Sequence, residues 1–243
     1  MIKTIVSIIL WPIAIATFSI CATVYILLTY IIKPTKLYPI VKTASKLILL
    51  GCGQWLRVEG QPPDRKNQPY LYLFNHESLM DPFMLGGAVN HYITAVGANF
   101  QFSYPIWGWL ARRHGAIPIK RKKLDQAIHS LDSAEEAIRK GISFFISPEG
   151  TRTISGKLGE FKKGPFHVAL NTGVTLVPVA LFGAYHAKKK TDWRLNPSIL
   201  TVKFGDPITR NQYKNMDLNT LRDMVRNRIK ELIVQHHSEK SNE

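Results

Sequence analysis

The chain has 243 residues, with 32 Lys and Arg against 17 Asp and Glu, for a formal net charge of +15. Hydrophobic residues make up 45% and aromatics 10%, enough for a packed core, which excludes a disordered, collagen-like or coiled-coil chain. Cys21 and Cys52 are the only cysteines, so neither a disulfide framework nor a four-cysteine zinc site can be built.

Residues 5 to 32 pass without a charged side chain, a run of 28, where about 20 helical residues cross the hydrocarbon of a bilayer. Fifteen of them are Ile, Leu, Val or Phe, favouring insertion by roughly 5 to 9 kcal/mol before polar penalties. The run is longer than a signal-peptide core, and no small-x-small site leads from it into a mature start. Lys33, Lys36, Lys42 and Lys46 follow it and only Lys3 precedes it, so the positive-inside rule places the body on the cytoplasmic side. Pro12 is a candidate kink. One tilted crossing and a bend into a single leaflet are both compatible with the hydropathy. Next, Ile40, Val41, Ala44, Leu47 and Ile48 recur at helical spacing beside Lys42, Ser45 and Lys46. That pattern fits an interfacial helix and also a core helix with a solvated face. The division expected is a membrane anchor with interfacial helix over 1–54, a globular domain over 55–235 and a loose tail over 236–243.

After a proline-rich break at 61–69, short apolar runs predict strands at 70–74, 92–96, 116–119, 142–146, 175–182 and 200–204. Helical patterns lie at 105–113, 124–139, 164–171 and 218–234. Strands alternating with helices predict an α/β fold, a mixed and largely parallel sheet covered by helices.

The chemistry gathers at strand ends. Asn75-His76 is followed four residues later by Asp81. Five helical steps turn the chain by about 500°, which would point His76 and Asp81 apart, so they meet only if His76 lies in the turn ahead of a helix. There Asp81 would fix the imidazole tautomer and His76 would act as a general base. Taken alone, a histidine satisfied in a turn with Asp81 as a helix-start residue explains the motif equally. The second motif, Ser147-Pro148-Glu149-Gly150-Thr151-Arg152, follows the strand at 142–146 at its carboxyl end, where open α/β sheets place ligands. Arg152 can fork onto a phosphate, Gly150 admits close backbone approach and Thr151 can donate a hydroxyl bond. Its plainer reading is a competent turn with a surface Arg–Glu pair.

Together, Asn75-His76-x4-Asp81 and Pro148-Glu149-Gly150-Thr151-Arg152 resemble the glycerolipid acyltransferase family, most closely the 1-acylglycerol-3-phosphate acyltransferases. Supporting blocks stand in family order: 115–121, whose Arg121 by resemblance helps hold the glycerol phosphate; Phe161-Lys162-Lys163-Gly164, the basic block; and Val177-Pro178-Val179. The match covers roughly residues 70 to 180. Pro118, Lys120 and Ser147 depart from the commoner family residues and leave the acceptor headgroup open. The resemblance implies a membrane-bound enzyme moving an acyl group from acyl-CoA or acyl carrier protein to a lysophospholipid, lysophosphatidic acid first, with another lysophospholipid or glycerol 3-phosphate as alternatives.

On this reading His76 takes the acceptor's hydroxyl proton, Asp81 orients His76, and Arg121, Arg152 and Lys163 hold the acceptor phosphate with Gly150 and Thr151. Glu149 orients a basic partner or a glycerol hydroxyl. Asn75, Pro148, Lys162 and Gly164 complete the motifs. Ser78 is near enough to His76 to be considered as an acylated nucleophile, although no Gly-x-Ser-x-Gly elbow surrounds it. No metal, cofactor or nucleic acid is called for, and the remaining histidines show no short zinc-ligand spacing. Phe100, Phe102, Tyr104, Trp107 and Trp109 read as core, acyl-channel wall or membrane interface. A hydrolase built on His76 and Asp81, or a non-catalytic lipid or nucleic-acid binder, stands as the contrasting class.

Overall fold

The computed structural model describes residues 1–119 and 124–241. Two helices come first, α1 (Ile2–Leu28) and α2 (Tyr38–Gly51), followed by β1 (Gln54–Glu59), β2 (Tyr70–Phe74), α3 (Asp81–Ala88), β3 (Ile93–Ala98), α4 (Pro105–Arg113) and β4 (Ile117–Ile119). Then come α5 (Leu124–Arg139), β5 (Ser143–Ile146), α6 (Gly164–Thr172), β6 (Thr175–Phe182), α7 (Ala184–Ala187), β7 (Ser198–Phe204), α8 (Arg210–Tyr213) and α9 (Leu218–Ser241). Among the described residues the strands form one sheet in the order β1-β7-β6-β2-β5-β3-β4. Strands β2 to β6 are parallel to one another, β7 runs antiparallel to β6, and β1 is parallel to β7. The expected mixed, largely parallel sheet is therefore present.

Strand β2 is the axis, buried at all five positions. A continuous apolar run is what a strand covered on both faces requires. Tyr70, Tyr72 and Phe74 face a core closed by α1, α2 and α3, with Leu49, Met84, Leu85, Val177 and Val179. Leu71 and Leu73 face the opposite core, closed by α5, α6 and α9 through Ile138, Phe166, Leu221 and Val225. The loops after β2, β5 and β6 thus emerge side by side, since β5 and β6 flank β2.

Helix α1 is continuous through Pro12 and long and apolar enough to cross a membrane, by length and composition. It is docked on the body along one side. The Ser7 hydroxyl accepts from Leu195 N at 3.0 Å, and Trp11 Nε1 donates to the Trp193 carbonyl at 2.9 Å. Further along, Phe18 meets Phe83 and Trp107, each ring 6.2 Å away, and Tyr25 Oη lies 2.7 Å from His114 Nδ1. Ile5, Ile8, Ile9, Ile13, Ile15 and Ile20 face outward. The aromatic stretch after β3 splits between roles: Phe102 is buried, Trp107 packs against Phe18 and Phe83, and Phe100, Tyr104 and Trp109 are exposed.

The tail expected from 236 onward is corrected: α9 runs to Ser241 and His236 is buried, stacked on Phe182 at 3.9 Å with Nδ1 3.1 Å from Glu59. Glu239, one helical turn on, takes both of its carboxylate bonds from Lys203 Nζ. Glu59 lies on β1, so the docking of this last turn is invisible to local spacing; His236, Glu59 and Glu239 bring their ligand-type atoms within 4.8 Å of one another, with the Lys203 ammonium already supplying positive charge to Glu239.

Gly183 turns the chain out of β6 with φ +85°, and a Cβ there would lie 2.4 Å from the Ile199 carbonyl oxygen. Gly183→Ala is therefore expected to lower stability by about 2 kcal/mol or more, read as a drop in urea midpoint with an unchanged slope.

Candidate active site

Asp81 opens α3 and His76 lies in the loop ahead of it, the only placement that lets this spacing close. His76 Nδ1 is 2.6 Å from Asp81 Oδ2. A carboxylate can only accept, so the Nδ1 proton faces Asp81 and Nε2 is the basic ring nitrogen left for a substrate. Asp81 has no exposed surface, and it also accepts from Glu77 N at 2.9 Å and Ser78 N at 3.0 Å. Burial pushes its carboxyl above the ordinary range, opposed by the His76 bond and the two amides. The His76 side chain keeps about a quarter of its surface exposed, enough to meet a ligand (25%).

Asn75 ties this loop to the neighbouring strand: its amide donates to the Leu181 carbonyl at 2.9 Å and accepts from Leu181 N at 2.7 Å. Ser78 is not placed as a nucleophile. It is fully buried and its hydroxyl donates to the Lys188 carbonyl at 2.9 Å.

The Pro148-to-Arg152 loop is locked beside His76. Glu149 accepts from His76 N at 2.8 Å through one oxygen and from Gly159 N at 2.8 Å through the other. The carboxylate is buried, and with both oxygens on backbone amides it bridges the two loops. Burial raises its pKa, while the two amides pull it down. Thr153 N closes the same junction by donating to the His76 carbonyl at 2.8 Å. Gly150 takes φ +72°, and the Lys162 side chain lies over it, 3.6 Å from where a Cβ would stand. Lys162 N donates to the Pro148 carbonyl at 2.7 Å, which fixes the basic block against the second motif. Pro148 is buried, Thr151 is exposed and Arg152 half-buried. Lys163 is exposed at the start of α6, whose first residue is Gly164. Arg121 and its neighbours Lys120, Lys122 and Lys123 lie outside the described residues.

Sequence reasoning missed two parts of this region. Glu77 accepts from Tyr185 N at 3.0 Å and sits among Asp81 and Glu149; burial lifts its carboxyl to about 8, with the like charges adding and the Tyr185 and Ala184 amides opposing. The segment after β6 also belongs here: Lys190 Nζ donates to the Thr151 hydroxyl at 3.0 Å. A run of three lysines, 188–190, was the available signal, and by itself such a run reads as a solvated face.

Residues 56–182, just over half of the chain, match the family described as Acyltransferase. A 1-acyl-sn-glycerol-3-phosphate acyltransferase of Cocos nucifera is 30% identical over 182 residues, covering 74% of this chain and 58% of that protein. A chloroplastic enzyme of the same description from Arabidopsis thaliana is 40% identical over 122 residues, 47% of this chain and 32% of that one. The chain thus spans well under two thirds of these relatives' length. Among solved structures, the protein titled as the 1-acyl-sn-glycerophosphate (LPA) acyltransferase PlsC of Thermotoga maritima superposes with a TM-score of 0.82 over 97% of this chain and 96% of that one, at 22% identity, and so shares the fold. A parallel-strand loop site holding a His–Asp pair is set in this framework, and the chain belongs to the acyltransferase family.

Glu77 gives a pH signature. A buried acid whose folded pKa is about 8 against an ordinary 4.5 stabilises the protein at low pH and loses that contribution as pH rises between the two values. Glu77→Gln keeps an acceptor for Tyr185 N and removes the titration. The variant should match wild type near pH 5 and exceed it in thermal midpoint at pH 8, a gap read directly from melting curves across that range.

Proposed function

We propose that the protein is a membrane-associated O-acyltransferase that moves a fatty acyl group from an acyl thioester to the sn-2 hydroxyl of 1-acylglycerol 3-phosphate, giving phosphatidic acid for phospholipid synthesis. The observation that carries it is the 2.6 Å His76–Asp81 pair at the carboxyl end of β2, bracketed through Glu149 to the Gly150-Thr151-Arg152 loop at the end of β5. The two relatives of the preceding section are described as 1-acyl-sn-glycerol-3-phosphate acyltransferases, which supports the acceptor class.

A lipid hydroxyl is a poor nucleophile until a base removes its proton during attack, whereas a thioester already holds a good leaving group. His76 Nε2 takes the hydroxyl proton as the oxygen attacks the thioester carbonyl. The C–S bond then breaks, and the thiolate leaves with the proton returned from imidazolium. Asp81 holds the tautomer and offsets the imidazolium charge. No acyl-enzyme is needed, in keeping with the buried Ser78 hydroxyl. Arg152, Thr151 and the Gly150 backbone supply the phosphate contacts, with Arg121 and Lys163 completing the set expected from sequence. Coenzyme A and acyl carrier protein are both acidic donors that a chain of net charge +15 would attract.

Helix α1 supports attachment to one leaflet rather than a free crossing. One side is committed to Leu195, Trp193, Phe83 and His114, and the other presents bare isoleucines. Lys33, Lys36, Lys42 and Lys46 beyond its end suit the anionic cytoplasmic leaflet, which puts the body on the cytoplasmic side. Ile9→Lys with Ile13→Lys changes two outward-facing positions; the double variant is expected to stay in the supernatant when sedimented with zwitterionic phosphatidylcholine vesicles, which offer no net charge to its lysines, while wild type pellets.

Detergent-solubilised wild type should convert lysophosphatidic acid and an acyl thioester to phosphatidic acid with one thiol released per product. His76→Ala should fall by at least about a thousandfold and Asp81→Asn by a smaller factor, with melting curves confirming folded protein. Full activity in His76→Ala would overturn the catalytic assignment. No product from either donor class would overturn the substrate, and thiol release without lipid product would mark a hydrolase.

A further inference from the structure

The segment leaving β6 is fastened at both ends. At its start, Tyr185 N donates to Glu77 and Tyr185 Oη donates to the Ile154 carbonyl at 2.9 Å, which stitches it to both motif loops. At its end, Leu195 is paired with Ser7, Trp193 accepts from Trp11, and Asp192 lies 3.8 Å from Lys3. The segment is thus strung between the phosphate loop and the first three turns of α1.

Its middle carries unspent positive charge. Lys188 is buried and used internally, its ammonium donating to the carbonyls of Lys189 and Asp192 at 2.8 and 2.5 Å, which clips the turn. Asp192, the segment's carboxylate, is forked by Arg194 Nε at 3.0 Å and Nη2 at 2.9 Å. Lys189 lies over the Tyr185 ring at 5.2 Å. Lys190 projects to Thr151, and an ammonium that spends one donor on a hydroxyl oxygen keeps two more. The bond also uses Thr151 as acceptor, so its hydroxyl proton stays available for a second partner.

We infer that Lys190, which lies outside every motif read in the sequence, binds the acceptor's phosphate together with Thr151 and Arg152 and selects a phosphomonoester over a phosphodiester. The inference rests on the acceptor class proposed above and deepens it. A phosphomonoester near neutral pH carries close to two negative charges, and a phosphodiester carries one. A site that adds a point-charge lysine to a forked arginine gains most from the second charge. Because the lysine rides on a segment buckled to α1, the headgroup site is held at a fixed height relative to the helix that contacts lipid.

The test compares wild type, Lys190→Ala and Lys190→Arg in detergent micelles at saturating acyl-CoA. The acceptor is 1-acylglycerol 3-phosphate, and its methyl phosphodiester serves as competitor. Lys190→Ala should raise the acceptor KM about tenfold or more, change kcat by less than about twofold, leave the donor KM alone and narrow the gap between acceptor KM and diester inhibition constant. Lys190→Arg should restore most of the loss. An unchanged acceptor KM in Lys190→Ala, or a shift in the donor KM in its place, overturns this assignment while leaving the acyltransferase reading intact. A wild type that does not acylate the phosphomonoester removes both.

Discussion

Everything in the site hangs on carboxylates that are kept away from water and satisfied by backbone. Asp81 gathers His76 and two amides of its own turn, and Glu149 gathers the amides of His76 and Gly159. A buried carboxylate without such donors would cost several kcal/mol or take up a proton. The amides therefore do two jobs at once. They keep the acids ionisable, and in doing so they hold the loops after the adjacent strands β2 and β5 in a single register. Rigid placement matters for any acyl transfer, in which the reacting atoms must meet at near-contact distance.

The polarity of the arrangement is layered. Around His76 lie Asp81 and Glu149, both buried, and the half-buried Glu77, with burial raising each carboxyl. The more exposed groups of the second motif loop and its neighbours are cationic or neutral: Arg152, Thr151, Lys162 and Lys190. Such a surface suits an anionic ligand, and it leaves His76 beside its own counter-charge. The whole-chain excess of basic residues is spent partly at this surface and partly in the lysines that follow α1.

Much of the frame was readable from periodicity. The strands at 70–74 and 175–182 and the helices at 105–113 and 124–139 coincide with β2, β6, α4 and α5, because doubly buried strands and amphipathic helices announce themselves in local pattern. Strand β1 escaped notice since an edge strand with Trp55 and Val58 exposed has no apolar run to show. The end of α9 escaped because His236 is polar by type and buried only through Phe182 and Glu59, partners far away in sequence. The same distance hid the work of Glu149 and Glu77, which reach the amides of His76 and Tyr185, 73 and 108 residues off. The His76–Asp81 contact was legible for the opposite reason: five residues and one helix start determine it.

Helix α1 contributes Ala14, Leu10 and Trp11 to the same core as Tyr72, Met84 and Val177. It is therefore a structural member of the domain as well as its exposed apolar side. A chain begun after Ile32 in search of a soluble enzyme would strip one wall from that core and leave the Leu195 amide without the Ser7 hydroxyl. Changes meant to make the outer surface less apolar belong on the outward isoleucines, since the helix that carries them cannot be cut away without opening the domain.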